Sequence, residues 1–322
     1  MARILSFAEA IREATLLEMR RDPSVFVMGQ GSDYPDGLKG TTIGLVDEFG
    51  PDRVFDTPIS EDGMTGVAIG AALSGLRPIH THLRVDFLTL AMNQITNIAA
   101  KTHYMSAGAL QVPLVIRAFL GGCWGAQHSQ GLHSWFAHIP GLIVVAPSTP
   151  YDAKGILIQA IRENNPVVCL EHTSLVDVRG EVPRRSYTVP FGKCAVRRKG
   201  SDVTLVGISY MNQACVAAAG ILEEEWGVSC EVIDPISVAP LDMKTIIRSV
   251  RKTGHLVVAD NAWTFCGVSA EISAQVAESL SATRNIRIQR VGFPQVPAPH
   301  CPKLEERFQP NVESILKSVR KV

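Results

Sequence analysis

The chain has 322 residues, of which 46% are hydrophobic and 19% charged, enough apolar material for two domains with large cores. Its formal net charge is zero at pH 7. We therefore exclude nucleic acid and anionic membranes as main partners, because both bind proteins with a basic excess. The sequence contains no apolar run of about 18 residues, so we expect no membrane span. It also contains no signal peptide and no C-x-x-C pair among its seven cysteines, so we expect a cytoplasmic protein.

The first half of the chain alternates between short apolar runs and helical patterns. Ser6 and Glu9 form a capping box that predicts the start of a helix, and Asp22-Pro23 ends that helix. Residues 29–41 are rich in Gly and Asp and predict a loop. In chain order, further strands are predicted at 25–28, 54–56, 79–82, 112–118, 142–146 and 166–170, and further helices at 63–75, 87–104 and 150–162.

The second half of the chain repeats this alternation after an irregular stretch. Residues 173–200 mix charge, Pro and Gly, so we predict a first domain at 1–180, a linker at 181–200 and a second domain at 201–322. In the second domain, strands are predicted at 203–208, 230–233, 256–259 and 286–291, and helices at 212–226, 243–251 and 268–277. The alternation predicts two doubly wound α/β domains with parallel sheets.

Several common chemical motifs are absent. No G-x-G-x-x-G opens a helix, and there is no G-x-x-x-x-G-K-[ST], G-x-S-x-G or H-E-x-x-H, so nicotinamide, flavin, P-loop and common hydrolase chemistry are not supported. His80 and His82 share one face of a predicted strand. They are interpreted either as a metal-binding pair or as the polar wall of a cleft, and the lack of a third ligand nearby favours the wall.

The segment Asp-Thr-Pro-Ile-Ser-Glu at 56–61, the Gly/Ala-rich helix after it and Gly-Leu-Arg-Pro at 75–78 resemble one family: the beta subunits of the decarboxylating component of pyruvate-type 2-oxo acid dehydrogenases. Ordered matches continue at 97–101, 127–130, 140–142, 152–155, 160–166, 296–299 and 304–305. The resemblance implies a pyrimidine-binding domain, a transketolase C-terminal domain and thiamine diphosphate as coenzyme.

The reaction implied by the resemblance is oxidative decarboxylation of a 2-oxo acid, with transfer of the acyl group to a lipoyl carrier. The alternatives are a split transketolase, a carboligase or an acetoin dehydrogenase component with a non-standard substrate, and a degenerate subunit that only stabilises its partner. The resemblance also implies that the coenzyme sits between two chains and that the partner binds Mg²⁺ through a Gly-Asp-Gly…Asn motif. Because this sequence lacks that motif, we expect an alpha-type partner, a heterotetramer of two alpha and two beta chains with a beta–beta contact, and a lipoyl acyltransferase as a further partner.

Two side chains carry the chemistry implied by the resemblance. Glu61 corresponds to the glutamate that hydrogen-bonds N1′ of the coenzyme's aminopyrimidine, which lets the 4′-imino group deprotonate the thiazolium carbon; a carboxyl group in an apolar pocket can share a proton near neutral pH. The alternative is a helix-start carboxylate favoured by the helix dipole. His128, in the His-Ser-Gln segment, corresponds to a histidine that faces the reacting carbon. Its alternative is a polar loop residue, and His133 and His138 are interpreted as loop or partner-contact residues.

Other positions of the family site can be carried over in the same way. Phe87 corresponds to the aromatic residue that packs on the aminopyrimidine ring, and Ile59 and Leu83 are expected to line the same pocket. The resemblance also implies a structural K⁺ held by carbonyl and carboxylate oxygens of Leu114, Ala160, Ile161, Glu163 and Asn165. Glu163 stands where the family usually has aspartate, so the sequence leaves the occupancy of this K⁺ site open.

The chain departs from the family pattern around the expected coenzyme pocket. Gln30 replaces an acidic residue that normally lies close to the activating glutamate and helps to connect the two active sites of the assembly. His80, His82 and Arg84 replace a strand that usually carries Glu and apolar residues, which predicts a more positive pocket and an anionic or larger substrate. Trp124 lies in an altered loop before His128 and is expected to narrow the substrate channel.

Overall fold

The computed structural model describes residues 2–122, 124–282 and 285–322. They form two compact units, of which unit 1 comprises Met1–Leu120 with Trp135–Phe191 and unit 2 comprises Gly121–Ser134 with Gly192–Val322. Unit 2 thus includes a segment that lies between two parts of unit 1 in the sequence. Among the helices of the described residues, none combines the length and apolarity that a membrane crossing requires.

The elements of the first part of the chain alternate as the sequence predicts. The strands are β1 (Ala2–Ser6), β2 (Val25–Gly29), β3 (Val54–Phe55), β4 (Arg77–His82), β5 (Val115–Leu120), β6 (Ile143–Val145), β7 (Val167–His172) and β8 (Arg179–Pro183). The α-helices are α1 (Phe7–Arg21), α2 (Leu45–Phe49), α3 (Glu61–Leu73), α4 (Val85–Leu88), α5 (Ala100–Met105), α6 (His133–Ala137) and α7 (Pro150–Arg162).

The strands of unit 1 form a parallel sheet in the order β6-β7-β5-β4-β2-β3. Every residue of β2, β5 and β7 is buried, as is typical of parallel strands covered on both faces. A separate antiparallel pair joins β1 to β8. The parallel order brings the carboxyl ends of β2 and β4 together, which places the residues that follow them at one edge of the sheet.

Local capping accounts for the helix starts. In α1, Ser6 and Glu9 make the reciprocal hydrogen bonds of a capping box, as the sequence predicts. In α7, the Thr149 side chain accepts a hydrogen bond from the backbone N–H of Asp152 and Pro150 occupies the first turn, so the helix spans the predicted residues.

Two predictions about secondary structure were wrong. Residues 87–104 do not form one regular α-helix: a 3₁₀ turn (Thr89–Ala91) and a π-helical stretch (Gln94–Ala99) lie between α4 and α5. The hydroxyl groups of Thr96 and Thr102 each donate to the carbonyl four residues earlier, at 2.7 Å, a competition that disturbs regular helical bonding. The stretch 173–200 also contains a strand that pairs with β1 and another that joins the sheet of unit 2.

Unit 2 is a smaller α/β unit. Its strands are β9 (Ala195–Arg198), β10 (Val203–Gly207), β11 (Cys230–Asp234), β12 (Ser237–Ala239), β13 (His255–Trp263) and β14 (Arg287–Phe293). Its sheet follows the order β14-β13-β10-β11-β9, in which only the edge strand β9 is antiparallel. Its helices are α8 (Tyr210–Trp226), α9 (Met243–Thr253), α10 (Val268–Leu280), α11 (Pro302–Phe308) and α12 (Val312–Val319). The last two helices were not predicted; Ile315 and Val319 of α12 join the core that covers α8 and the sheet.

Candidate functional site

Glu61 is the first residue of α3, and only 7% of its surface is exposed. Its Oε1 accepts a hydrogen bond from Nε2 of Gln30 at 3.0 Å. Across the described ranges of the chain, its carboxylate receives no other hydrogen bond and no Lys or Arg pairs with it. Glu61 is therefore a buried carboxylate held by one neutral donor at the positive end of a helix.

Gln30 follows β2 and is oriented by the end of β4. The backbone N–H of Leu83 donates to Oε1 of Gln30 at 3.4 Å, so the amide NH₂ group faces Glu61. The loop after Gln30 is fixed in turn, because the N–H of Gly31 donates to Asp56 at 2.8 Å. The amide can donate a hydrogen bond to Glu61 but cannot exchange a proton with it.

His80 and His82 belong to β4 of unit 1 and are buried, so they do not form a solvent-exposed cleft wall. They are 2% and 1% exposed, and their ring centroids are 4.2 Å apart. Burial lowers the pKa of His80 to about 4, although a hydrogen bond to the Met28 carbonyl and the nearby charge of Glu61 act in the opposite direction. Burial and the neighbouring His80 also hold the pKa of His82 well below its usual value. Both rings are therefore neutral near pH 7, and no cluster of three or more metal-binding side chains occurs in the part of the chain that the structure describes.

The other predicted coenzyme contacts also belong to unit 1. Phe87 is half-buried in α4. Ile59 and Leu83 are 82% and 44% exposed, so each offers an apolar surface that the single chain does not cover. Arg84 forms an ion pair with Asp86 at 3.4 Å, its side chain only 11% exposed. The pocket is therefore less positive than the sequence predicted, because His80 and His82 are neutral and Arg84 is paired with Asp86.

His128 lies in the segment Gly121–Ser134 of unit 2 and is half-buried. Its backbone N–H donates to the Gly125 carbonyl at 3.2 Å. Trp124, expected to narrow a channel, is 64% exposed, and its backbone N–H donates to Oγ of Ser129 at 3.0 Å. The structure therefore assigns Glu61 and His128 to different units.

The structure reveals a buried hydrogen bond between a histidine and an aspartate that the sequence did not predict. Nε2 of His133 hydrogen-bonds to Oδ2 of Asp260 at 3.0 Å and lies 2.8 Å from Oδ1. Both side chains are 1% exposed, so the prediction of His133 as a loop or partner-contact residue was wrong. His138 is exposed. An acid directly after the apolar run 256–259 was a signal for a buried partner, but the sequence gives no means of choosing among nine histidines.

The residues predicted to hold K⁺ gather around the carboxyl end of α7. The carbonyls of Leu114 and Ala160 accept hydrogen bonds from backbone N–H groups, at 2.9 and 3.2 Å. The Arg77 guanidinium donates to the carbonyls of Ile161, at 2.8 Å, and of Glu163. Oε1 of Glu163 accepts from the side-chain amide of Asn165 at 2.9 Å. Each carbonyl oxygen keeps a second lone pair that could bind a cation. The Arg77 guanidinium already supplies positive charge at this negative end of the helix.

Comparison with known proteins gives matches along most of the chain. Residues 4–178 match the family described as transketolase, pyrimidine binding domain, and residues 192–315 match transketolase, C-terminal domain. The chain is 44% identical to the beta subunit of acetoin:2,6-dichlorophenolindophenol oxidoreductase from Cupriavidus necator, over 100% of this chain and 98% of that protein. It is 41% identical to the pyruvate dehydrogenase E1 component subunit beta of Rickettsia bellii, over 99% and 98% of the two chains.

A solved structure shows the same fold. It is described as a split gene transketolase in an inactive beta4 tetramer, and it matches with a TM-score of 0.79 over 98% of this chain and 97% of its own. The sequence identity of 24% limits this likeness to the fold. The predicted order of a pyrimidine-binding domain followed by a transketolase C-terminal domain is confirmed.

Proposed function

The chain belongs to the transketolase-like family of thiamine-diphosphate-dependent dehydrogenase beta subunits, and we propose that it activates the coenzyme in a 2-oxo acid dehydrogenase. The observation that carries the proposal is the state of Glu61. It is buried at the start of α3, with one carboxylate oxygen bound by a neutral amide and the other free of hydrogen bonds from the described residues. A carboxylate in this setting can receive a hydrogen bond from a protonated ring nitrogen.

The side chains near Glu61 fit the aminopyrimidine half of thiamine diphosphate. Glu61 would hold N1′ through its second oxygen, and Gln30 would keep the carboxylate in place. Phe87 would stack on the ring, and the exposed Ile59 and Leu83 would cover its edges. When bound, the coenzyme supplies a carbon that becomes nucleophilic on losing its proton. His128 would exchange protons with the substrate at that carbon.

The rest of the active site is assigned to a partner chain. The sequence contains no Gly-Asp-Gly…Asn motif, so Mg²⁺ and the diphosphate would be held by an alpha-type subunit. The proposed assembly has two alpha and two beta chains with a beta–beta contact, and a lipoyl acyltransferase would accept the acyl group. The six described cysteines are all unpaired, which supports the cytoplasmic location that we propose.

The proposal includes a structural K⁺ at the carboxyl end of α7. The carbonyl oxygens of Leu114, Ala160 and Ile161 would bind it, together with Glu163 and Asn165. The reason for proposing these ligands is chemical, because oxygen donors at the negative end of a helix suit a hard cation.

A second candidate function is that of an acetoin dehydrogenase component. It is favoured by the 44% identity to the acetoin-oxidising beta subunit, against 41% for the pyruvate dehydrogenase subunit. Both functions use the same coenzyme and the same role for Glu61. They differ in the substrate bond that breaks, so substrate screening separates them.

The test is to assemble the chain with its alpha-type partner and follow reduction of 2,6-dichlorophenolindophenol with a series of 2-oxo acids and with acetoin. Coenzyme-dependent turnover of an oxo acid with CO₂ release supports the first function, and turnover of acetoin alone supports the second. We expect calorimetry to show coenzyme binding by the assembly and much weaker binding by this chain alone. Equal affinity in both would contradict a site shared with a partner.

A further inference from the structure

The segment Gly121–Ser134, which carries His128, is organised by its own hydrogen bonds. The backbone N–H of Trp124 donates to the fully buried Ser129, and that of His128 donates to the Gly125 carbonyl. Apart from the first residues of α6, the segment contains no helix or strand in its described residues. Its position within unit 2 therefore depends on its contacts with the rest of that unit.

Two contacts near His128 attach the segment to consecutive residues of β13. His133 pairs with Asp260, and Gly131 packs against the backbone of Asn261. A Cβ at position 131 would stand 1.9 Å from the Asn261 carbonyl oxygen, so only glycine permits this approach. Both contacts lie within five residues of His128 and on the same side of it in the sequence.

The chemistry of the two groups determines which of them donates the hydrogen bond. A carboxylate only accepts hydrogen bonds, so Nε2 of His133 carries a proton, and Nδ1 has no partner among the described residues. Since both side chains are 1% exposed, water does not compete for the bond and the low local dielectric strengthens it. The bond therefore fixes the His133 ring, and with it the backbone that leads back to His128.

We propose that His133 and Asp260 form a positioning pair that holds His128 where it meets the substrate, an inference that rests on the role proposed for His128. The pair does not contact the reacting atoms in this proposal. Its loss would let the His128 segment adopt other positions. Turnover would fall, while coenzyme affinity, which depends on Glu61 in unit 1, would stay unchanged.

The test uses the enzyme assembled with its alpha-type partner and four variants: His133→Leu, His133→Gln, His128→Ala and the double variant His128→Ala/His133→Leu. We expect His133→Leu to lower kcat about 10- to 100-fold, the effect of misplacing a catalytic group by about 1 Å. Glutamine places an N–H donor near the position of Nε2, so His133→Gln should recover most of the loss. In the His128→Ala background, His133→Leu should cause no further loss, and the dissociation constant for thiamine diphosphate should be the same in all four.

Several outcomes would overturn the proposal. Native kcat in His133→Leu, or an undiminished further loss in the His128→Ala background, would show that the pair does not act through His128. A loss explained wholly by less assembled enzyme would reduce the pair to a structural contact. If His133→Leu fails to assemble, Asp260→Asn replaces it with the same expectations. Native turnover in His128→Ala would instead refute the role of His128 itself, and so separates the two failures.

Discussion

Two buried carboxylates at the same sheet of unit 1 have opposite surroundings. Glu171, 3% exposed, receives two hydrogen bonds from Arg117, at 2.6 and 2.8 Å, and Arg117 also donates to Thr41 at 2.9 Å. Glu61, 7% exposed, receives one hydrogen bond from the neutral amide of Gln30. Both side chains follow the rule that a buried charge needs partners, but only Glu171 has its charge balanced by a cation.

The difference indicates which carboxylate is available for chemistry. A carboxylate saturated by a guanidinium has both oxygens occupied and its charge neutralised, so it has little capacity to bind a proton or a ligand donor. The Glu61 carboxylate keeps one oxygen free of hydrogen bonds from the described residues. Around it, His80 and His82 are neutral near pH 7, so the charge of Glu61 is not opposed by these neighbours.

The largest expected effect is on turnover. Glu61→Gln in the assembled enzyme should lower kcat about 10²- to 10⁴-fold, the usual range for removing a proton-sharing group. Its stability should change little, because the glutamine oxygen can still accept from Gln30. Asp62→Asn is the matched control, since Asp62 is an exposed acid in the same helical turn. Steady-state dye reduction and the urea unfolding midpoint measure the two effects; near-native turnover would remove Glu61 from the mechanism.

For Glu171, the carboxylate paired with a cation, we expect a loss of stability with little loss of turnover. Glu171→Gln should lower the free energy of unfolding by about 3–5 kcal/mol, because Arg117 is left buried without a compensating charge. Activity per assembled enzyme should be retained. Urea denaturation measures the loss, with Glu48→Gln as control because Glu48 pairs with Arg20 at the surface, where ion pairs contribute little. A small stability change together with lost turnover would break the comparison, since Glu171 would then act in the chemistry.

The sequence predicted the elements of this comparison but not the contacts. Apolar periodicity and caps located most strands and helices, including α7 at its observed bounds, and the motif at 56–61 identified Glu61. The wider family resemblance identified Gln30 as a departure from the pattern, although only the structure shows that its amide is turned toward Glu61 by the Leu83 N–H.

Contacts between distant segments could not be predicted, because they depend on tertiary packing. Arg117 and Glu171 lie 54 positions apart, and His133 and Asp260 lie 127 apart. No local pattern records such distances in one sequence. The π-helical stretch at Gln94–Ala99 was missed for a related reason, since its apolar spacing is compatible with an ordinary helix and threonine side chains can bond either to the backbone or to solvent.

The smallest expected effect concerns the neutral neighbours of Glu61. Burial lowers the pKa of His80 to about 4 in the folded chain, below the ordinary histidine value of about 6.5. The unfolded chain therefore binds this proton more readily, so the stability is complete above pH 6.5 and is lost as the pH falls toward 4. Between pH 7.5 and pH 5 the loss from this one group should be on the order of 2 kcal/mol.

Replacing His80 by leucine should remove that part of the pH dependence. Urea unfolding of the variant and the parent chain at pH 7.5 and pH 5 measures it, and the difference between the two pH values should shrink in the variant. His138→Leu is the control, because His138 is exposed and its replacement should leave the pH dependence as it is. Equal acid destabilisation in His80→Leu and the parent would mean that His80 takes up its proton as readily in the folded chain as in the unfolded chain. At pH 5 the region around Glu61 would then contain a cation, and its contrast with the Arg117–Glu171 pair would disappear at that pH.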